Sequence, residues 1–223
     1  AVCAKSRRQK MEQLAFLPDP ASLPKAADAE RGARGIEQWL EAVERTADPA
    51  LMDFARELVG SDQGKPLLTA LFGNSPYLTR LILNDPHYFR DLLRRGPGDS
   101  CAAAMAEIRR YLAPLTDREG ARTATTDEIM AGLRVAKSRA ALAIALADIA
   151  GTWPLERITG ALSDLAEQSL STVVSHLLRD GAARGEIALP HPDEPERDSG
   201  FIVLALGKLG ARELNYSSDV DLM

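Results

Sequence analysis

Three times between positions 48 and 86 the sequence sets a small polar residue directly before a proline: Asp48-Pro49, Ser75-Pro76 and Asp85-Pro86. A side-chain oxygen at an N-cap accepts from the first free backbone N–H groups of a helix, and proline at the next position has no N–H to leave unsatisfied. Each pair commits the chain to begin a helix there. The apolar positions agree. Ile36, Trp39, Leu40 and Val43 precede the first pair, Tyr77, Leu78, Leu81 and Ile82 follow the second, and Phe89, Leu92 and Leu93 follow the third, all at helical spacing. Gly60 closes the helix that Asp48 opens. Further on, Thr125 and Glu128 have capping-box spacing ahead of Ile129, Leu133, Ala136, Ala140, Ile144 and Ala147, whose many alanines imply close helix packing. Beyond Gly151, Thr152 and Pro154 another stripe runs through Leu155, Ile158, Leu162, Leu165, Ser169, Val173 and Leu177. The pattern predicts a helical array with order beginning near Ile36 and lasting to about Gly181.

On either side of that array the character changes. Residues 1–35 contain Pro18, Pro20 and Pro24, hold seven Lys/Arg against four Asp/Glu, and show no sustained period, so a flexible leader with one short helical turn is expected. Residues 186–199, with one Arg against five Asp/Glu and three prolines, read as a solvated linker. The run Phe-Ile-Val-Leu-Ala-Leu at 201–206, bracketed by Gly200 and Gly207, is expected to be a strand buried on both faces. Residues 219–223 follow as a second strand. The predicted organisation is a leader over 1–35, a helical domain over 36–185, a linker over 186–199, and the beginning of an α/β domain over 200–223.

Composition narrows the function. A formal charge of −5 and a pI near 5.3 argue against a nucleic-acid partner held by phosphate neutralisation. The longest apolar run, 140–147, is far short of a membrane span, which needs roughly 20 residues. Cys3 and Cys101 form no CxxC pair, so neither a disulfide framework nor a zinc ribbon is expected, and the basic start (Lys5, Arg7, Arg8, Lys10) lacks the apolar stretch of a signal peptide. A reducing, cytoplasmic setting is the expectation, although no initiator Met marks the true start. His87, His176 and His191 have no ligand spacing, Ser75 is better explained as a cap than as a nucleophile, and Arg134, Lys137 and Arg139 read as a solvated helix face.

The chemistry sits near the end of the sequence. In an extended strand alternate side chains share a face, so Asp219 and Asp221 are expected to project together. Paired carboxylates repel unless something neutralises them, and Mg²⁺ is suited to one or two carboxylates plus phosphate oxygens. Upstream, Gly207-Lys-Leu-Gly210 offers backbone N–H groups to phosphate and Lys208 a positive charge. It is neither a Walker A loop, because Leu follows Lys208, nor a GxGxxG fingerprint. Buried strand, glycine turn, short helix and Ser-Asp-x-Asp strand, in that order, point to phosphoryl or nucleotidyl transfer.

The sixteen residues Gly-Lys-Leu-Gly-Ala-Arg-Glu-Leu-Asn-Tyr-Ser-Ser-Asp-Val-Asp-Leu at 207–222 closely resemble the signature of glutamine synthetase adenylyltransferases. Looser resemblance covers Phe-Gly-Asn-Ser-Pro-Tyr-Leu-Thr-Arg at 72–80 and residues 133–151. The resemblance implies a mainly α protein: a helical bundle followed by the first strands of a polymerase-β-like nucleotidyltransferase palm. It implies Mg²⁺ on Asp219 and Asp221, phosphate held by Gly207 and Lys208, and Ser218 supporting either group by hydrogen bonding. The Asn-Tyr-Ser-Ser-Asp wording resembles the family's N-terminal half, which removes AMP from a tyrosine of glutamine synthetase by phosphorolysis and yields ADP; the other half adds AMP from ATP. Glutamine synthetase, phosphate or ADP, and a PII-type signalling protein are the implied partners. The family's site uses a third carboxylate from a later strand, which is not in the sequence, so the 223 residues alone are expected to be inactive. A helical docking module and a different nucleotidyltransferase are the alternatives.

Overall fold

The computed structural model describes residue 14 and residues 16–112, 115–117, 120–122 and 124–223, with backbone only for 112 and the two strands. Cys3, Lys5, Arg7, Arg8 and Lys10 lie outside the described residues. In chain order the helices are α1 (Ala29–Arg45), α2 (Pro49–Val59), α3 (Gly64–Asn74), α4 (Pro76–Asn84), α5 (Pro86–Arg95) and α6 (Pro97–Arg109). A small antiparallel pair follows, β1 (Leu115–Asp117) and β2 (Gly120–Arg122), with Leu115 opposite Arg122. Then come α7 (Thr126–Ile149), α8 (Leu155–Ala183) and the one-turn α9 (Gly207–Gly210). The described chain is mainly helical.

Two compact units divide it. One holds the residues up to Cys101 together with Ala141–Pro154, and the other holds Ala102–Ala140 and Leu155–Met223. The helical region read as one domain over 36–185 thus contributes to two units. Periodicity could not show this, because the chain changes unit inside the continuous helices α6 and α7.

In the first unit all three cap-proline pairs act as the sequence predicts. Asp48 accepts from the N–H groups of Ala50 and Leu51 at 2.9 and 3.3 Å, Ser75 from Leu78 at 3.2 Å, and Asp85 from Tyr88 at 3.0 Å. Order does not wait for Ile36. Asp28 caps α1 through the Arg31 N–H at 2.8 Å, and the helix runs from Ala29. Its first two turns meet α3 through glycines, which leave no apolar stripe to read: a Cβ on Gly35 would stand 2.5 Å from the Phe72 Cβ, and one on Gly32 would stand 3.2 Å from Thr69. Trp39 and Phe89 are fully buried and meet edge to face, centroids 5.7 Å apart. Residues 141–147, which α7 contributes to this unit, are buried throughout, as the alanine pattern implies.

The stretch 72–76 is a junction. Phe72 fills the core, Gly73 lets Ala26 approach, and Asn74 accepts from the Ala27 N–H at 2.9 Å while donating to the Lys25 carbonyl at 3.1 Å. Arg31 donates to the carbonyls of Phe72 and Gly73. Part of the expected leader is therefore fastened to the end of α3.

Asp48 also joins α2 to α5, its Oδ2 lying 3.2 Å from His87 Nε2 and 3.6 Å from Arg90 Nη1. The Leu51 N–H is the largest cause holding the Asp48 carboxyl below its ordinary range; partial desolvation opposes it, and the Ala50 N–H and His87 add to the lowering. A depressed carboxylate contributes stability that is complete above the unfolded value, near 3.9, and is lost as the pH falls through the folded value. Asp48→Asn keeps a cap and removes the titration. The gap in melting midpoint between native and variant should close as the pH drops below about 3.9; a gap constant down to pH about 2 would contradict this.

In the second unit the capping box forms, with the Thr125 N–H donating to Glu128 Oε2 at 2.8 Å and the Glu128 N–H to Thr125 Oγ1 at 3.3 Å. The acidic connector is tied to α8: Glu196 Oε1 accepts from Ser171 and Ser175 at 2.7 and 2.6 Å, and Arg179 donates to the Asp193 carbonyl at 3.2 Å. His176 lies 2.9 Å from Thr126 Oγ1, and His191 lies 3.0 Å from Asp198. Among the described residues no helix is long and apolar enough to cross a membrane.

Candidate active site

The candidate residues fall in one stretch of the second unit. The apolar run 201–206 is extended and meets 221–223 antiparallel around a single bridge between Ala205 and Leu222. Leu204 N–H donates to the Met223 carbonyl at 2.7 Å, Met223 N–H returns to Leu204 at 2.9 Å, and Leu206 N–H donates to the Asp221 carbonyl at 2.9 Å. Burial on both faces, expected from the sequence, is not observed: Phe201 is 55% exposed, Ile202 74% and Leu204 52%. Two extended segments cannot cover their own faces. A strand buried on both sides needs further strands beside it and layers above and below, and the described residues place none there.

Past the run the chain turns sharply. Gly207 has φ +55°, in the left-handed region, and a Cβ there would stand 3.2 Å from the Asp221 carboxylate. The left-handed turn is the reason for glycine here, and the exposed Asp221 carboxylate lies beside the backbone where α9 begins. Gly210 has its own reason, since a Cβ there would stand 2.4 Å from the Ala205 carbonyl oxygen.

The end of α9 is held by two further bonds: Arg212 N–H to the Leu209 carbonyl at 2.9 Å and Glu213 N–H to the Lys208 carbonyl at 2.8 Å. This is the Schellman pattern, with Arg212 at φ +59° in the place where glycine is usual. Leu209 and Leu214 are buried, and the Leu214 N–H reaches Ser163 Oγ on α8 at 3.4 Å. Arg212 Nη1 donates to both Glu167 oxygens at 3.0 and 3.2 Å, and Nη2 donates to Asp164 at 2.5 Å. The Asp164 hydrogen bond, then the charges of Asp164 and Glu167, hold the guanidinium above its ordinary range.

Asn215 organises the approach to the aspartates. Its Oδ1 accepts from the Ser217 N–H at 3.1 Å and the Ser218 hydroxyl at 2.8 Å, while its N–H donates to Ser218 Oγ at 3.2 Å. The Ser218 proton is therefore committed to the turn leading into Asp219. Asp219, Asp221 and Lys208 are exposed. The structure brings Gly207 and Asp221 together, and among the described residues no ion pair joins Lys208 to either aspartate. Among the described residues no group of three or more His, Cys, Asp or Glu side chains could hold a metal ion. Arg212, Asp164 and Glu167 were not foreseen, because the partners lie 45 and 48 residues apart in sequence.

Gly207→Ala should strain the turn by about 1–2 kcal/mol. Amide exchange over 207–211 is expected to quicken about tenfold, with the midpoint of the first unit unchanged. Unchanged exchange would show that the left-handed backbone is not required.

The family described as glutamate-ammonia ligase adenylyltransferase matches residues 66–223. Three similar proteins carry the name bifunctional glutamine synthetase adenylyltransferase/adenylyl-removing enzyme. The one from Bradyrhizobium diazoefficiens is 40% identical over 205 residues, covering 91% of this chain and 19% of the relative. The one from Rhodopseudomonas palustris strain HaA2 is 48% identical over 149 residues, or 67% and 14%, and the one from Mesorhizobium japonicum is 35% identical over 190 residues, or 85% and 19%. No solved structure matches. The chain spans about a fifth or less of the length of these relatives. With a family match over more than half of its residues, the chain belongs to the glutamate-ammonia ligase adenylyltransferase family.

Proposed function

We propose that this chain contributes part of a site that removes AMP from a tyrosine of glutamine synthetase by phosphorolysis. The observation that carries the reading is the meeting of Gly207 with the Asp221 carboxylate inside the stretch 207–222. The relatives' names hold both adenylyl transfer and adenylyl removal; the wording at 215–219, which resembles the family's N-terminal half, favours removal. An oxygen of inorganic phosphate would attack the adenylyl phosphorus, the bond to the tyrosine oxygen would break, and that oxygen would take up a proton. ADP and unmodified glutamine synthetase result.

Each residue has a task in this reading. Asp219 and Asp221, exposed hard-oxygen groups, suit Mg²⁺, which when bound supplies positive charge to phosphoryl oxygens. Gly207 keeps side-chain bulk away from Asp221, Lys208 offers its ammonium to phosphate, and Ser218 holds the turn that presents Asp219.

The test is ADP release from adenylylated glutamine synthetase with phosphate and Mg²⁺, using a protein of the relatives' length that carries this chain. Release by the native protein that disappears in Asp219→Asn supports the reading. Transfer of AMP from ATP without phosphorolysis would replace it with the reverse activity. A docking role without chemistry is the second reading, favoured by the exposed apolar run at 201–206. It requires Asp219→Asn to change nothing.

A further inference from the structure

We propose that Arg212 is a positioning residue of this site, holding the glycine turn and the segment leading to the aspartates in place by clamping onto Asp164 and Glu167 of α8. The inference rests on the assignment of the site to 207–221. Its starting point is a misfit between residue and backbone. At the left-handed position of a Schellman motif glycine is the unstrained choice, yet the chain places a long side chain there, with φ +59°. Something other than backbone comfort accounts for arginine.

The side chain shows what. One guanidinium nitrogen reaches both oxygens of Glu167 at 3.0 and 3.2 Å and the other reaches Asp164 at 2.5 Å. Asp164 and Glu167 stand three residues apart on one face of α8. A planar fork meets two carboxylates there in a way a lysine cannot. Two more contacts stand nearby: the Leu214 N–H on Ser163 Oγ at 3.4 Å, and the burial of Leu209 and Leu214. The strained residue thus sits between α9, which begins against Asp221, and the Asn215 turn, which closes on Ser218 just before Asp219. An anchor at 212 fixes both arms of the site to one helix. Arg212 acts through these neighbours and is given no contact with substrate.

Arg212→Gly separates positioning from plain structure, because it relieves the backbone strain while deleting the clamp. Three readouts apply: amide exchange over 207–221 and Mn²⁺ affinity by paramagnetic resonance on this chain, and kcat and KM for ADP release on a protein of the relatives' length carrying it. In Arg212→Gly and in Asp164→Asn/Glu167→Gln, exchange should quicken about tenfold. The clamp is half exposed, so its loss is bounded by what solvent-screened ion pairs supply: Mn²⁺ should bind more weakly, and kcat should fall about tenfold at unchanged KM for glutamine synthetase. The melting midpoint of Arg212→Gly should not fall. Combining both sets should cost no more than either alone. Exchange and kcat within about twofold of native would overturn the proposal, as would a loss in Arg212→Gly that the carboxylate variants do not share. If the native protein releases no ADP, the phosphorolysis reading fails, while exchange still decides the role of Arg212.

Discussion

On the proposed phosphorolysis, Asp221→Asn made in a protein of the relatives' length that carries this chain is expected to remove nearly all ADP release from adenylylated glutamine synthetase while leaving the melting midpoint where it was. The substitution keeps the shape of the side chain and removes a charge. A carboxylate that holds a metal against a transferring phosphoryl group is worth several kcal/mol of transition-state stabilisation, so turnover should drop about a thousandfold. The side chain is exposed and its residue is tied to Leu206 only through the backbone carbonyl, so stability should move by less than about 0.5 kcal/mol. Asp219→Asn should behave alike, and the double variant should be no worse than either single one, because residues that act as a unit lose their function together. Turnover within tenfold of native in both single variants would sink the assignment of the pair.

Phe72→Ala carries the largest expected cost in stability. Its ring is fully buried, and the helix α1 backbone comes so close at Gly35 that no methyl would fit between them. Removing the ring leaves a void that a helix seated on glycine cannot fill by side-chain rearrangement, so about 3–5 kcal/mol should be lost. Urea unfolding followed by circular dichroism measures it, with Tyr77→Ala as the control. Tyr77 is 42% exposed and touches Arg80 through its ring face, so its loss should stay near 0.5–1 kcal/mol. A cost below about 1 kcal/mol for Phe72→Ala would mean that α1 and α3 repack freely.

What could be read from the residues alone follows the range of the interaction involved. Asp48, Ser75 and Asp85 bond to backbone two or three positions away, so their caps were legible, as was the Thr125–Glu128 box. The early start of α1 was not, because Gly32 and Gly35 make contact by having no side chain and register as breakers. Nor was the division into two units, which cuts through continuous helices. At the candidate site, the glycine turn and the aspartates were visible as types and order, and their family resemblance matches the family shown by comparison. The Arg212 clamp depends on partners one helix away, and no local pattern announces a pairing over 45 residues. The apolar run at 201–206 misled in the other direction: its composition describes a strand between two layers, whereas its surroundings among the described residues leave it in the open.

That open ribbon has a practical consequence for handling the 223-residue chain in solution. Apolar side chains on an extended segment, with backbone groups along its outer edge available for pairing, form a template on which a second molecule can add a strand. Light scattering should therefore grow with protein concentration faster than for a fully covered fold. Ile202, 74% exposed, is the place to interrupt it: Ile202→Lys puts a charge on the ribbon at no cost to any core and should lower the scattering. Crystallisation and spectroscopy on this chain are better attempted with that substitution than with native sequence at high concentration.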